Sequence, residues 1–101
     1  MKNKSISCKL TTVELRQRKA TVIAGLKDKI LERKELEDGI VLRFDGRDEM
    51  VDTLVSFIKT ERACCNFFTF TLSIAGNPNP VWLTIRGPEG AREFMASELR
   101  L

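Results

Sequence analysis

Two runs of strict alternation constrain this chain more than anything else in it. Phe68, Phe70, Leu72 and Ile74 alternate with Thr69, Thr71 and Ser73, and Val81, Leu83 and Ile85 alternate with Trp82, Thr84 and Arg86. A period of two marks a strand with one face in a core and the other toward solvent. Asn77-Pro78-Asn79-Pro80 between the runs cannot join a ladder, so they read as the arms of a hairpin.

A half-buried hairpin needs a partner layer. The remainder of the chain supplies helices and a second hairpin. Thr11 and Glu14 fit a capping box, with Leu10 and Leu15 placed as a hydrophobic staple. Leu15, Val22, Ile23 and Leu26 continue one helical stripe. Gly25 either ends that helix or is tolerated inside it. A second helix starts near Arg47, with Asp48 and Glu49 in its first turn where the dipole favours acids. Its stripe is Met50, Val51, Leu54, Val55, Phe57 and Ile58, and the next inward positions are Glu61 and then Cys64 or Cys65. Gly87-Pro88-Glu89-Gly90 opens a third helix with Pro88 at its first position, and Ala91, Phe94, Met95 and Leu99 form its apolar face.

The remaining hairpin lies around Glu37-Asp38-Gly39. A two-residue Asp38-Gly39 loop would set Glu35 and Arg33 against Leu42 and Phe44 on the core face. A three-residue loop with Gly39 left-handed would instead match Leu36 with Ile40, Lys34 with Leu42 and Glu32 with Phe44. That register buries Leu36 and Ile30 and lets Lys34 snorkel, so it is the expected one. A weak repeat at an offset of 41 relates Ile40 to Val81, Leu42 to Leu83, Gly46 to Gly87 and Asp48 to Glu89. The expected fold is one α+β domain, α-ββα-ββα. A four-stranded antiparallel sheet has its helices packed on one face, with helices near 11–27, 47–65 and 88–99 and strands near 30–36, 40–45, 68–75 and 81–86. Residues 1–9 read as a loosely attached N-terminal segment.

With 101 residues, 43% of them hydrophobic, the chain can build one core and not two. No apolar run is long enough to span a bilayer, and Met1-Lys2-Asn3-Lys4 is not followed by the apolar region of a secretory signal. Three cysteines, Cys8, Cys64 and Cys65, make no disulfide framework; free thiols suit a reducing, cytoplasmic setting. Histidine and tyrosine are both absent. That removes imidazole bases, Ser-His and Cys-His pairs and histidine metal ligands. The net charge of +3 divides into +7 over residues 1–34, from ten Lys/Arg and three Asp/Glu, and −4 over residues 35–101, from seven and eleven. A basic segment can bind nucleic acid. Its first aromatic neighbour is Phe44, however, so it has no stacking platform and a solvated basic helix face is the expected reading.

Four features bear on chemistry. Cys64-Cys65, with Glu61 one turn earlier, would suit a soft ion or thiophilic ligand, and Arg62 would lower a thiol pKa. Against this, helical neighbours point about 100° apart, the spacing has no CxxC element, and small buried thiols are ordinary core residues. Glu61 on an apolar stripe must be paired, hydrogen-bonded or protonated; Arg62, Arg86 or a first-helix arginine is the expected partner, and a general base is the functional alternative. Trp82 falls on the face that the helices leave open, as an interface or ligand platform, or else partly covered by Thr69 and Thr71. The Gly87–Gly90 turn offers N–H groups to an anion, with capping by Glu89 the plainer role.

The string Glu61-Arg62-Ala63-Cys64-Cys65-Asn66-Phe67, with Trp82-Leu83 and Gly87-Pro88-Glu89-Gly90, resembles a family of short uncharacterised bacterial proteins. It implies no activity. The element order also resembles the pterin-carbinolamine dehydratase fold. That family carries His-His-Pro-Glu-Trp where this chain has Cys64-Cys65-Asn66-Phe67-Phe68, so the fold is implied and the activity is not. The expectation is a binding or interaction protein without a catalytic constellation. Its candidate site is Glu61, Arg62, Cys64, Cys65, Trp82 and Arg86; its partners would be a second copy and a small-molecule or soft-metal ligand. No residue pattern names a cofactor. A thiol-dependent enzyme or soft-metal handler on Cys64 and Cys65 is the alternative, and a basic nucleic-acid binder the third reading. Assembly as a homodimer or dimer-based oligomer is expected, through the sheet face or an edge, with Trp82 at or near the contact.

Overall fold

Each alternating run becomes a strand and each apolar stripe a helix. The computed structural model describes residues 13–64, 67–76 and 79–96. It runs α1 (Val13–Lys27), β1 (Glu32–Leu36), β2 (Gly39–Phe44), α2 (Asp48–Cys64), β3 (Thr69–Ser73), β4 (Val81–Arg86) and α3 (Ala91–Phe94). The four strands form one antiparallel sheet in the order β1-β2-β4-β3. The Cα trace is only 18 Å deep in its shortest direction. At about 10 Å between layers, that admits the sheet and one layer of helices.

The core lies between those layers. Ile40, Leu42 and Phe44 of β2 and Val81, Leu83 and Ile85 of β4 are buried against Met50, Leu54 and Phe57 of α2 and Ala91 and Met95 at α3. Val55, expected in the α2 stripe, turns outward and is 36% exposed. α1 packs on α2 and contributes buried Leu26 with half-buried Val22 and Ile23. It continues through Gly25 to Lys27, so Gly25 is an interior residue. The Thr11 cap, Leu10, Cys8, the 1–9 segment and Leu99 lie outside the described residues.

The repeat has a structural meaning. Leu42 pairs with Leu83, and the 41-residue offset makes these two positions equivalent. A pseudo-twofold therefore passes between the central strands β2 and β4, and β1 and β3 become equivalent edges.

Three expectations are corrected. First, the β1–β2 hairpin has a two-residue Glu37-Asp38 loop, pairing Leu36 with Gly39, Glu35 with Ile40, Arg33 with Leu42 and Lys34 with Val41. Charges on the core-side face are tolerated because β1 is an edge that overhangs the helix layer. Glu35 there meets Arg92 of α3, while Lys34 and half-buried Leu36 fall on the opposite face. Gly39 is thus a strand residue, and close approach explains it: a Cβ there would stand 1.9 Å from the Ile85 carbonyl oxygen. Second, Pro88 does not begin α3. Gly90, at φ 91°, is the N-cap, and a left-handed residue interrupts any helix running back to Pro88. Pro88 instead forms a turn, its carbonyl accepting from the Ala91 N–H at 2.9 Å. Third, β3 stops at Ser73, which leaves Ile74 55% exposed rather than in the core.

Candidate functional site

The sheet register determines what stands on its open face. Residues paired across antiparallel strands point the same way. Arg43 and Ser73 flank Trp82 on either side, Val41 and Thr71 flank Thr84, and Thr69 flanks Arg86. Glu32 and Lys34 of β1 extend the face beyond Arg43 and Val41. Trp82 is therefore neighboured by Arg43 and Ser73, not by Thr69 and Thr71 as expected from alternation alone.

Trp82 is half-buried, although among the described residues no helix covers it. The cover comes from cations. The Arg43 guanidinium lies 5.8 Å from the centre of the indole and the Lys34 ammonium 5.7 Å, within the range in which a cation is drawn to a ring face. Glu32 holds both in place, 3.4 Å from Arg43 Nε and 3.5 Å from Lys34 Nζ. The result is one aromatic ring with two cations, one carboxylate and the Ser73 hydroxyl, on a face that continues into Thr84 and Thr71. Sequence reasoning misses Lys34, Arg43 and Glu32, because the expected hairpin register places Lys34 and Glu32 on the other face.

The other candidates do not join Trp82. Glu61 is 1% exposed on the covered side of the sheet, in the last turns of α2. Arg86 stands on the open face at the far end of β4, bonded to Asp38 at 2.6 Å, so of the three partners expected for Glu61 (Arg62, Arg86 or a first-helix arginine) it is not Arg86. Arg62 is exposed. Cys64 is the last residue of α2, and Cys65 lies outside the described residues. Near that helix end are five phenylalanines. Phe57 meets Phe70 edge-on, Phe68 links Phe70 to Phe67, and Phe94 closes on both Phe67 and Phe68. Among the described residues no group of three or more His, Cys, Asp and Glu is placed to hold a metal.

Among the described residues, shallow cavities lie elsewhere. One of about 380 Å³ sits at the start of α2, between Lys29, Asp45, Arg47 and Thr53. Another, about 180 Å³, adjoins the Gly87–Gly90 turn and is lined by Glu37, Asp38, Glu89 and Glu93. Those four carboxylates outnumber Arg92, which also lines the cavity, and oppose the anion-binding role considered for that turn. The neighbouring Glu35 carboxyl is held below its ordinary value by its hydrogen bond from Arg33 and then by Arg92.

Among the described residues no helix is long and apolar enough to cross a membrane. Compared with family models, curated proteins and solved structures, the chain gives no match.

Proposed function

We propose that this is a non-catalytic binding protein whose recognition surface is the open face of the sheet around Trp82. One observation carries the reading: among the described residues, the cover over the Trp82 indole, on the sheet face that the helices leave open, is its own neighbours Arg43 and Lys34. A planar ring, two cations and hydroxyls on one surface suit a ligand with a flat, anionic group, which can stack and accept hydrogen bonds together. Glu61, the carboxylate considered as a general base, is buried on the covered side of the sheet, away from the open face that carries Trp82 and Arg86.

Native mass spectrometry of freshly purified, reduced protein tests this, with wild type and Trp82→Ala in parallel. The wild type is expected to carry a bound species that the variant lacks. Indistinguishable ligand-free spectra for the two contradict the reading.

Burial of Glu61 one turn before Cys64 favours a second reading, a thiol-dependent enzyme or soft-metal handler. It requires one cysteine to react rapidly with a thiol reagent at neutral pH in the folded protein. Reaction only after denaturation removes it.

A further inference from the structure

The two edges of the sheet are pseudo-equivalent in position and opposite in chemistry. β1 carries Glu32, Arg33, Lys34 and Glu35 in sequence, all engaged in ion pairs. Charge along an edge strand is a common barrier to pairing with another chain. β3 is Thr69-Phe70-Thr71-Leu72-Ser73, with no charge, proline or glycine. Among the described residues no strand lies beyond it. In an antiparallel ladder alternate residues direct their N–H and C=O groups outward, so β3 presents backbone donors and acceptors next to half-buried Phe70 and Leu72 and the exposed Ile74.

We propose that β3 pairs antiparallel with β3 of a second copy, about a twofold axis through Thr71, to make one eight-stranded sheet. The strand is complementary to itself in this register. Thr71 meets Thr71, Phe70 meets Leu72 on the helix side, and Thr69 meets Ser73 on the open side. Apolar groups oppose apolar groups, hydroxyls oppose hydroxyls, and no charge meets a like charge. Ile74 extends the apolar side of the seam toward Phe68 of the partner subunit. A slip of one residue would turn the second copy over and set Phe70 against Ser73, so the face that the second copy presents is specified.

The axis stands perpendicular to the sheet. Both helix layers then lie on one side and both open faces on the other. At about 4.8 Å per strand and 3.3 Å per residue, the two Trp82 positions fall roughly 20 Å apart on one continuous surface. The pairing therefore converts two small recognition faces into one larger face with twofold symmetry. It does not require Trp82 to bind anything, and it stands on the edge chemistry alone. A five-residue seam is small beside a standard interface, so the dimer should dissociate on dilution.

Thr71 is exposed on the open face, which allows a charge there without disturbing the core. Sedimentation velocity should find wild type as a dimer that dissociates on dilution, and Thr71→Lys and Thr71→Glu as monomers with unchanged far-ultraviolet circular dichroism. Mixing the two variants should restore a dimer, because opposite charges then meet at the axis. That rescue also demonstrates that both variants are folded. A monomeric wild type at the highest attainable concentration overturns the proposal, as does a Thr71→Lys protein that remains dimeric. If Thr71→Lys stays dimeric while Trp82→Ala becomes monomeric, the contact is the open face, and both β3 pairing and the reading of Trp82 as a ligand surface fail. If Trp82→Ala loses the bound species yet stays dimeric, both hold.

Discussion

An alanine at position 39 should be among the most damaging single-methyl changes in this protein. Its Cβ would stand 1.9 Å from the Ile85 carbonyl oxygen and 2.9 Å from the Arg86 Cα. Ordinary C···O contacts lie at about 3.3–3.6 Å, so β2 and β4 would have to part by roughly 1.5 Å at this end. Both obstructing atoms are backbone, and no rotamer change relieves them. Parting the strands also pulls on the two links between the Glu37-Asp38 turn and β4: the Gly87 N–H to the Asp38 carbonyl, 3.0 Å, and Arg86 to the Asp38 carboxylate, 2.6 Å. Overpacking costs about 1–3 kcal/mol, and a lost hydrogen bond adds about 1 kcal/mol. The expected loss is about 3 kcal/mol, a fall in Tm of roughly 15 °C for a domain of this size. Gly25→Ala is the counterpart: Gly25 is exposed inside α1, and a methyl added there would meet nothing within 4 Å, so alanine should gain about 1 kcal/mol from helix propensity. Urea and thermal unfolding followed by circular dichroism measure both. A Gly39→Ala protein within about 0.5 kcal/mol of wild type, or a Gly25→Ala protein destabilised as Gly39→Ala is, would refute the reasoning.

Phe57→Ala should lower stability by about 3–5 kcal/mol in a urea titration, since Phe57 is fully buried and packs edge-on against Phe70. Trp82 is the only tryptophan and there is no tyrosine, so protein fluorescence reports on it directly. Flanked by Lys34 and Arg43, it should be quenched more strongly by iodide than by caesium, and Lys34→Glu with Arg43→Glu should reverse that order. The Glu35 carboxyl, held low by Arg33 and Arg92, should titrate below an ordinary glutamate by NMR, and Arg33→Ala or Arg92→Ala should move it back up. Because its folded pKa is depressed, its contribution to stability is present above the ordinary glutamate pKa and is lost as pH falls through the lower folded value.

The strands and helices are legible in the sequence because their signals are local. Alternation at 68–72 and 81–86 and the stripe of Met50, Leu54 and Phe57 give strand and helix without knowledge of the rest of the chain. The β1–β2 register is not legible in this way. Keeping charges off the core side favours the wrong register, because an edge strand overhangs that layer and Glu35 finds Arg92 from a helix 57 residues away. Gly39 reads as a turn residue because glycine commonly supplies positive φ; its real constraint is the Ile85 carbonyl on a strand far along the sequence. The same error hides half of the candidate site. Trp82 can be placed on the open face from β4 alone, whereas Lys34 and Glu32 reach that face only in the correct register. Burial of Glu61 is legible from its place on the α2 stripe. Of the three partners expected for it, Arg86 is excluded because it stands on the open face of the sheet.

One face of the sheet has to be open for Trp82 to recognise anything. NMR attenuation by a neutral, soluble paramagnetic chelate tests that directly, because the effect falls steeply with distance from solvent. Signals of the Thr69 and Thr71 methyls and the Trp82 indole should be attenuated strongly, while the Leu42, Leu83 and Ile85 methyls stay protected. Equal protection of the two sets would mean that a further layer covers Trp82, and the recognition surface proposed for this protein would not exist.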